Sequence, residues 1–469
     1  MAGGLSALTV VLVLAAPNQT IPLTPTNLSM AATLKSLVAD AAVSPDGDRV
    51  AVVWVEEFVP EFAARGSVWL RWAESEAGGW SSALPVFGGS YAECAVEAAV
   101  AVTGTTAHVV YSTWSPCGED TTQTVISYTT CLLTTGGGCG AAQTIVSASS
   151  VAFIPRLSSM DLALDGGGVP HLVYVQLDDT GTVATVYYRG GVSQPDEAIP
   201  GSSGDSLDPA IAWSDGEVHV VWEDRQYFEI MYNRRTATGW DMSATSLSRE
   251  GGDSNHPPRN PDIAAREGYA VATWDWRWPL PGETVESFIV AYTRFLSDTH
   301  KWTPVFEVGT QGGAVVPVAD EGPYYAYTPA YTYTSSPGGQ DPLSLRYLRP
   351  SVTLNKLGMP AVAWHAEGAD YDIRYSRALS MVETSSWGRV YHWSEPAVLN
   401  RERSGDTGAP VMAQAPVVSP TLHVAYLRRE SGGDWETYYE GREAGFTLGV
   451  KGDHTVFLPL VVRNYWGED

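Results

Sequence analysis

The chain has 469 residues, enough for two or three ordinary domains or for one large closed all-β array. Its 46 glycines, 30 prolines, 23 tyrosines and 17 tryptophans, without a long Ala/Leu/Glu/Lys stretch after the N-terminus, favour short strands joined by tight turns. With 53 acidic against 28 basic residues the net charge is −25, so nucleic acids and anionic membranes are poor partners for the average surface, and no basic patch overrides that field.

The N-terminal run from Leu5 to Ala16 is apolar and is followed by small and polar residues, as in the h-region of an export signal, although the usual basic residues before it are missing. Residues 1–20 are read as that signal and 21–39 as a lead-in. The stretch is too short for a comfortable spanning helix.

From there the chain repeats itself. Strands ending in an aromatic recur as Ala51–Trp54, His108–Tyr111, His171–Tyr174, His219–Trp222, Ala270–Trp274, Tyr324–Tyr327, Ala361–Trp364 and His423–Tyr426. Their anchors lie 57, 63, 48, 52, 53, 37 and 62 residues apart, a period near 50. Before most anchors stands an alternating strand closed by a turn, as in Met160–Gly168, Pro209–Glu217 and Pro261–Gly268. A third strand with its own aromatic follows, as in Phe228–Arg234 and Tyr371–Arg377, and a fourth often opens with tryptophan, as in Gly79–Val86 and Lys301–Val308. Four antiparallel strands per unit is the blade of an all-β propeller, expected over residues 40–450. The sixth unit, about Gly313 to Pro350, is short. The ring therefore has eight blades, or seven if that unit merges with a neighbour or the terminal strands complete one blade together.

All four cysteines, Cys94, Cys117, Cys131 and Cys139, fall in the second unit. Local closure favours Cys94 with Cys117 and Cys131 with Cys139 across the glycine-rich Leu132–Gly138 loop. The rival is a four-thiolate zinc site, but spacings of 23, 14 and 8 lack the close pairs such sites use.

The repeat also decides how to read the histidines and arginines. His108, His171, His219 and His423 all stand three residues before their anchors, so each is expected to be a strand residue satisfied by its neighbours, not a general base. Arg234, Arg294, Arg349 and Arg377 follow the third-strand aromatic by two and are expected to cover rings or meet acids of the adjoining blade.

These units resemble the sialidase-like, or BNR-like, propeller repeats of secreted bacterial proteins, whose pattern runs P-x-I-A, G, H-V-V-W, I-x-Y-S-R, W-x-x-P. Pro209, Ile211, Ala212, His219, Val220, Val221, Trp222, Ile230, Tyr232, Arg234 and Trp240 match it here, and Tyr371 to Arg377 with Trp393 and Pro396 match its second half. The resemblance implies the fold more strongly than an activity. Family sialidases carry an arginine triad, a tyrosine with a partner glutamate, an acid/base aspartate and S-x-D-x-G-x-T-W boxes; here only Ser44-Pro45-Asp46-Gly47-Asp48 approaches a box, and no arginine can be carried onto the triad. Residues 451–469 include His454–Asn464, which resembles C-terminal tails on exported proteins of Chloroflexi-type bacteria, and read either as an attachment tail or as a packed strand.

Function is sought in the segments that follow the anchors, since a rigid scaffold carries its sites on loops. Val55-Glu56-Glu57, Ser112-Thr113-Trp114, Gln176 to Asp179, Glu223-Asp224-Arg225, Asp275-Trp276-Arg277-Trp278 and His365-Ala366-Glu367 offer aromatic platforms beside carboxylates. The ligand-binding candidates are Trp114, Glu223, Asp224, Arg225, Asp275, Trp276, Arg277, Trp278 and His365, with Trp276 and Trp278 foremost. The leading expectation is a secreted or surface-attached monomeric propeller that binds an extracellular ligand, in first place a glycan or other polymer, without inserting in a membrane. A glycoside hydrolase is the alternative; it needs two carboxylates about 5–9.5 Å apart, with Glu56, Asp179, Asp224, Asp275 and Glu367 as candidates. A structural scaffold without a small ligand is the third. No cofactor is predicted; calcium is compatible with Asp161, Asp165, Asp178 and Asp179, whose spacing matches no loop signature.

Overall fold

The computed structural model describes residues 26–29, 36–56, 66–74, 79–90, 92–117, 123–149, 160–177, 183–248, 258–279, 286–296, 301–308, 350–366, 372–384, 388–399, 407–414, 421–429 and 435–443, apart from 304, 356–357 and 395. The expected export signal, the sixth unit up to residue 349 and the expected C-terminal tail lie outside them. Every regular element described is a strand.

Seven antiparallel sheets are arranged as a β-propeller. Blade 1 is Ser36–Val43, Arg49–Glu56, Val68–Glu74 and Leu84–Phe87, and blade 2 is Cys94–Thr103, Thr106–Ser115, Gln123–Leu132 and Gln143–Ser149. Blade 3 is Met160–Leu164, Pro170–Leu177, Ala184–Gly190 and Glu197–Ser203. Blade 4 is Ser206–Ser214, Glu217–Asp224 and Glu229–Thr236, with an outer strand split into Gly239–Trp240 and Thr245–Ser246. Blade 5 repeats this with Arg259–Arg266, Tyr269–Pro279, Glu286–Leu296, Lys301–Trp302 and Phe306–Glu307. Blade 6 is Ser351–Leu354, Pro360–Ala366, Asp372–Thr384, Gly388–Trp393 and Ala397–Val398. Blade 7 is Thr407–Gln414, Thr421–Arg429 and Trp435–Glu443, and its fourth strand is Thr26–Asn27 from the start of the chain, paired as Thr26 with Tyr439 and Asn27 with Tyr438.

The blade count is therefore seven, reached through the shared terminal blade. The first strands of successive blades touch in a closed cycle, and those of blades 5 and 6 meet directly, so the sixth unit read from the sequence does not stand between them as an eighth blade. Tight turns make the hairpins possible. Asp215-Gly216 and Glu267-Gly268 are two-residue loops with positive φ throughout (51°, 84°, 49° and 75°), the twist that matches flanking antiparallel strands.

The recurring aromatics cement blade to blade. Trp80 of blade 1 packs edge-on to Tyr439 of blade 7 at 4.6 Å, and Trp240 to Tyr188, Trp302 to Tyr232 and Trp393 to Tyr292 do the same across the 3/4, 4/5 and 5/6 seams at 5.2, 4.8 and 5.1 Å. Three of those tyrosines also hold a histidine of their own blade: Tyr188 with His171, Tyr232 with His219 and Tyr439 with His423, at 2.6, 2.9 and 2.6 Å. His108 and Tyr128 in blade 2 form the same bond at 2.6 Å. Burial pushes His219 down to about 3 and His423 down to about 4, and lowers His108 and His171, so all four stay neutral in the fold. The arginines follow their register too. Arg234 covers Phe295 of the next blade and pairs with Glu217 and Asp241 of its own, while Arg294 covers Tyr269 and Tyr391.

Both expected disulfides are present. Cys94–Cys117 has a Cα separation of 5.7 Å and Cys131–Cys139 one of 3.9 Å; Cys94 is buried, and Cys131 is sealed in the core shared by blades 1 and 2 with Cys139 packed against it. No free cysteine remains to hold zinc.

Candidate ligand-binding face

The second strand of each blade runs antiparallel to the first, so its end meets the start of the first strand: Ser36 opposite Glu56, Cys94 opposite Trp114, Ser206 opposite Asp224 and Arg259 opposite Asp275. Seven repeats of this register bring the segments after the anchors to one face of the ring. The histidine–tyrosine pairs lie towards the opposite ends of those strands.

Polar chemistry on this face is densest at the seam of blades 4 and 5. Glu223 is 1% exposed. Its Oε1 accepts from Arg225 Nε at 2.7 Å and from Arg259 Nη1, across the seam, at 3.2 Å. Beside Arg259, the Asn260 side-chain amide donates to Asp275 Oδ1 at 2.8 Å. Asn260 has φ 49° and precedes Pro261 at the bulge that begins the first strand, so the local sequence turns this amide inward. Two buried carboxylates, two guanidiniums and a carboxamide thus form one fixed polar floor.

Asp224 works differently. Its Oδ1 accepts the backbone N–H groups of Gln226 and Tyr227 at 2.9 and 3.0 Å, shaping the turn to the third strand, and burial raises its pKa. Phe228 closes the turn at φ 56°, and Arg225 N donates to Asp205 O at 3.1 Å. This turn lifts Tyr227 into solvent, 61% exposed, beside the buried floor. Reading segments directly after the anchor stops short of Tyr227, which lies five residues on. The signal that could have found it is the Asp224-x-x-Tyr227 spacing of an aspartate-capped turn.

The other candidates divide. Trp114 is half-buried and faces Thr124 across the sheet, and Glu56 is buried and accepts from Trp69 Nε1 at 2.7 Å. His365 is 1% exposed. Trp276, expected as an aromatic platform, is 1% exposed and packs with Trp274 in the core between blades 4 and 5. The second strand does not end at Trp274 but runs on to Pro279, and alternation puts residue 276 on the same buried face as residue 274. The side chains of Arg277 and Trp278 lie outside the described residues, as do Glu57, Asp178, Asp179 and Glu367.

Among the described residues no group of three or more His, Cys, Asp or Glu is placed to hold a metal ion. Asp165 Oδ1 accepts from Gly167 N and Val169 N at 2.8 Å each, capping its own turn, and both oxygens of Asp161 accept backbone N–H groups. No described helix is long and apolar enough to cross a membrane.

No family model matches this sequence, and no curated protein matches it significantly. Among solved structures, the chain is similar to a mutant α-L-arabinofuranosidase of Fusarium graminearum in complex with an iminosugar inhibitor, at 11% identity and TM-score 0.44 over 87% of this chain and 93% of that one. It is similar to a protein of unknown function from Dyadobacter fermentans at 11% identity and TM-score 0.45, over 89% and 97%. A sialidase of Trypanosoma rangeli in complex with sialic acid gives 9% identity and TM-score 0.43 over 88% of this chain and 54% of that one. Likenesses this distant concern the propeller fold and carry no argument about the residues on its face.

Proposed function

We propose that this chain is an extracellular binding propeller whose ligand is a glycan, held over the seam of blades 4 and 5. The observation that carries the reading is the placement of exposed Tyr227 on an aspartate-capped turn beside the buried Glu223–Arg225–Arg259 and Asn260–Asp275 bonds. A sugar ring has apolar C–H faces and a rim of hydroxyls. An aromatic face beside fixed donors and acceptors suits both, and a rigid floor lowers the ordering cost of binding. Pairing of all four cysteines supports an oxidising compartment, where such bonds persist.

The test is a glycan array followed by titration of any hit. Tyr227→Ala is expected to weaken binding tenfold or more, about 1.4 kcal/mol, and Tyr227→Trp to retain it, with the melting temperature unchanged in both. Failure of every array glycan to bind, or a hit indifferent to both Tyr227→Ala and Arg259→Ala, would end this reading in favour of a scaffold or of another face. Turnover of aryl-glycosides that is lost in one carboxylate variant while the fold persists would move the site to the hydrolases.

A further inference from the structure

Trp80, Trp240, Trp302 and Trp393 stand at one register position. Each lies opposite the third-strand residue three places after the one that faces the residue before the anchor: Ala73 after Leu70, Arg235 after Tyr232, Phe295 after Tyr292 and Ala378 after Tyr375. From there each indole closes on the tyrosine of the preceding blade, Tyr439, Tyr188, Tyr232 or Tyr292, and all four tyrosines are 3% exposed or less. In blade 2 the position is taken by Cys139, bridged to Cys131, which packs against the core that holds Leu70. Blade 3 offers no ring there. The residue three after Tyr188 is Gly191, where φ is 94° and the backbone N–H turns to Pro170 O at 2.7 Å, and no aromatic residue occurs between Tyr188 and the outer strand that starts at Glu197. The corresponding part of blade 7 lies outside the described residues.

Tyr128 of blade 2 is the tyrosine that the following blade leaves without an indole, and it is half-buried where its four counterparts are sealed. Beside it is a notch of about 220 Å³, counting its open mouth, with Val110 and Ile145 of blade 2 and Leu162, Leu172 and Val192 of blade 3 in its wall. That is below the roughly 300–1,000 Å³ of pockets for drug-sized ligands and suits a single ring system. Arg189 also stands in the wall, fixed by Asp196 through Nε and Nη2 at 2.7 and 2.8 Å, while its Nη1 donates to Val192 O at 3.3 Å. We propose that this notch is a binding site for a small aromatic molecule of the indole or phenol class, whose ring takes the place that a tryptophan side chain fills in four other seams. Such a ring gains the edge-on contact with Tyr128 that those seams make with their own tyrosines. A fixed guanidinium beside it favours an electron-rich ring over a saturated one. The notch shares no residue with the seam of blades 4 and 5, so it stands or falls independently of the glycan reading.

The test is ligand-observed NMR of the full chain titrated with indole. A single site with a Kd of about 1 mM is expected, and cyclohexanol should bind roughly fivefold more weakly because it lacks the ring electrons that Arg189 and Tyr128 address. Val192→Trp puts a ring of the chain's own into the notch; in the folded variant indole should bind about tenfold more weakly or worse. Tyr227→Ala, which removes the exposed ring at the seam of blades 4 and 5, should leave indole binding unchanged. The site would be overturned by no saturable binding up to about 10 mM, by binding that Val192→Trp leaves intact, by equal affinity for cyclohexanol, or by loss in Tyr227→Ala. Should Val192→Trp fail to fold, Ile145→Phe narrows the same notch from blade 2 and gives the same measurement.

Discussion

The ring nitrogen Nδ1 of His219 lies 2.9 Å from the hydroxyl of Tyr232 on the neighbouring strand, and three further blades repeat the bond. It joins the second and third strands while Trp302 of the next blade closes on the tyrosine ring. Removing the hydroxyl in Tyr232→Phe leaves a buried imidazole without this partner and is expected to cost about 1–2 kcal/mol. A urea denaturation series would read the loss as a lower midpoint with the slope unchanged, and ligand binding at the other end of the strands should not alter.

The same histidines give the protein an acid-side weakness. An unfolded histidine titrates near about 6.5, whereas His423 is held at about 4 and His219 at about 3. The native chain refuses protons that the unfolded chain accepts. The stability they supply is complete above that unfolded value and is lost as pH falls towards 4. Melting His423→Gln and wild type in parallel should show the variant's deficit shrinking between pH 7.5 and pH 4.5; a constant deficit would mean that the imidazole is not kept neutral.

Trp276 is expected to behave as a core residue. Truncation to alanine beside Trp274 and Phe295 should cost about 3–5 kcal/mol, large enough to lower the melting temperature clearly. Loss of ligand in that variant would then track unfolding, and Trp276→Phe, which keeps most of the packing, should bind as wild type does.

Glu223 carries the charge balance of the 4/5 seam, facing guanidiniums that are themselves 21% and 25% exposed. Glu223→Gln strands both partially, and about 2 kcal/mol of destabilisation is expected, below the figure for a fully buried pair because Arg225 and Arg259 can reach water. Chemical denaturation at low and high salt checks this. A loss that disappears in high salt would place the pair at the surface instead.

Reduction should act on blade 2 before the rest of the ring. Both disulfides sit there, and closing a loop of this size contributes roughly 2–3 kcal/mol. Hydrogen exchange with and without reductant is expected to show new opening in Cys94–Thr103 and Gln123–Leu132, while blades 4 and 5 keep their protection.

Much of the architecture was legible because the repeat states each rule several times. His219 alone invites a catalytic reading; in register with His108, His171 and His423 it becomes a strand residue, and all four bond to tyrosines. The cysteines were readable from loop length and spacing. Blade number was not, because it rests on the pairing of Thr26 and Asn27 with the last full strand, and two polar residues carry no periodicity. Trp276 was misplaced by ending a strand at its anchor, where alternation two residues further would have put it inside.

Thr26–Asn27 also sets an order of events. The outer edge of Trp435–Glu443 has no covering strand until the first residues of the propeller return to it, and that contact spans nearly the whole chain. Every other blade is assembled from consecutive sequence and can form as it is synthesised. The last one must wait for the first strand, kept free throughout, to be recaptured. Until then the chain is an open arc with an unpaired sheet edge on blade 7 and a free two-residue strand at the other end, able to accept the complementary segment of a second molecule as readily as its own. Folding at high concentration is where this chain would exchange clasps with its neighbours, and a dimer joined by traded Thr26–Asn27 strands is the misassembly that its topology makes easiest.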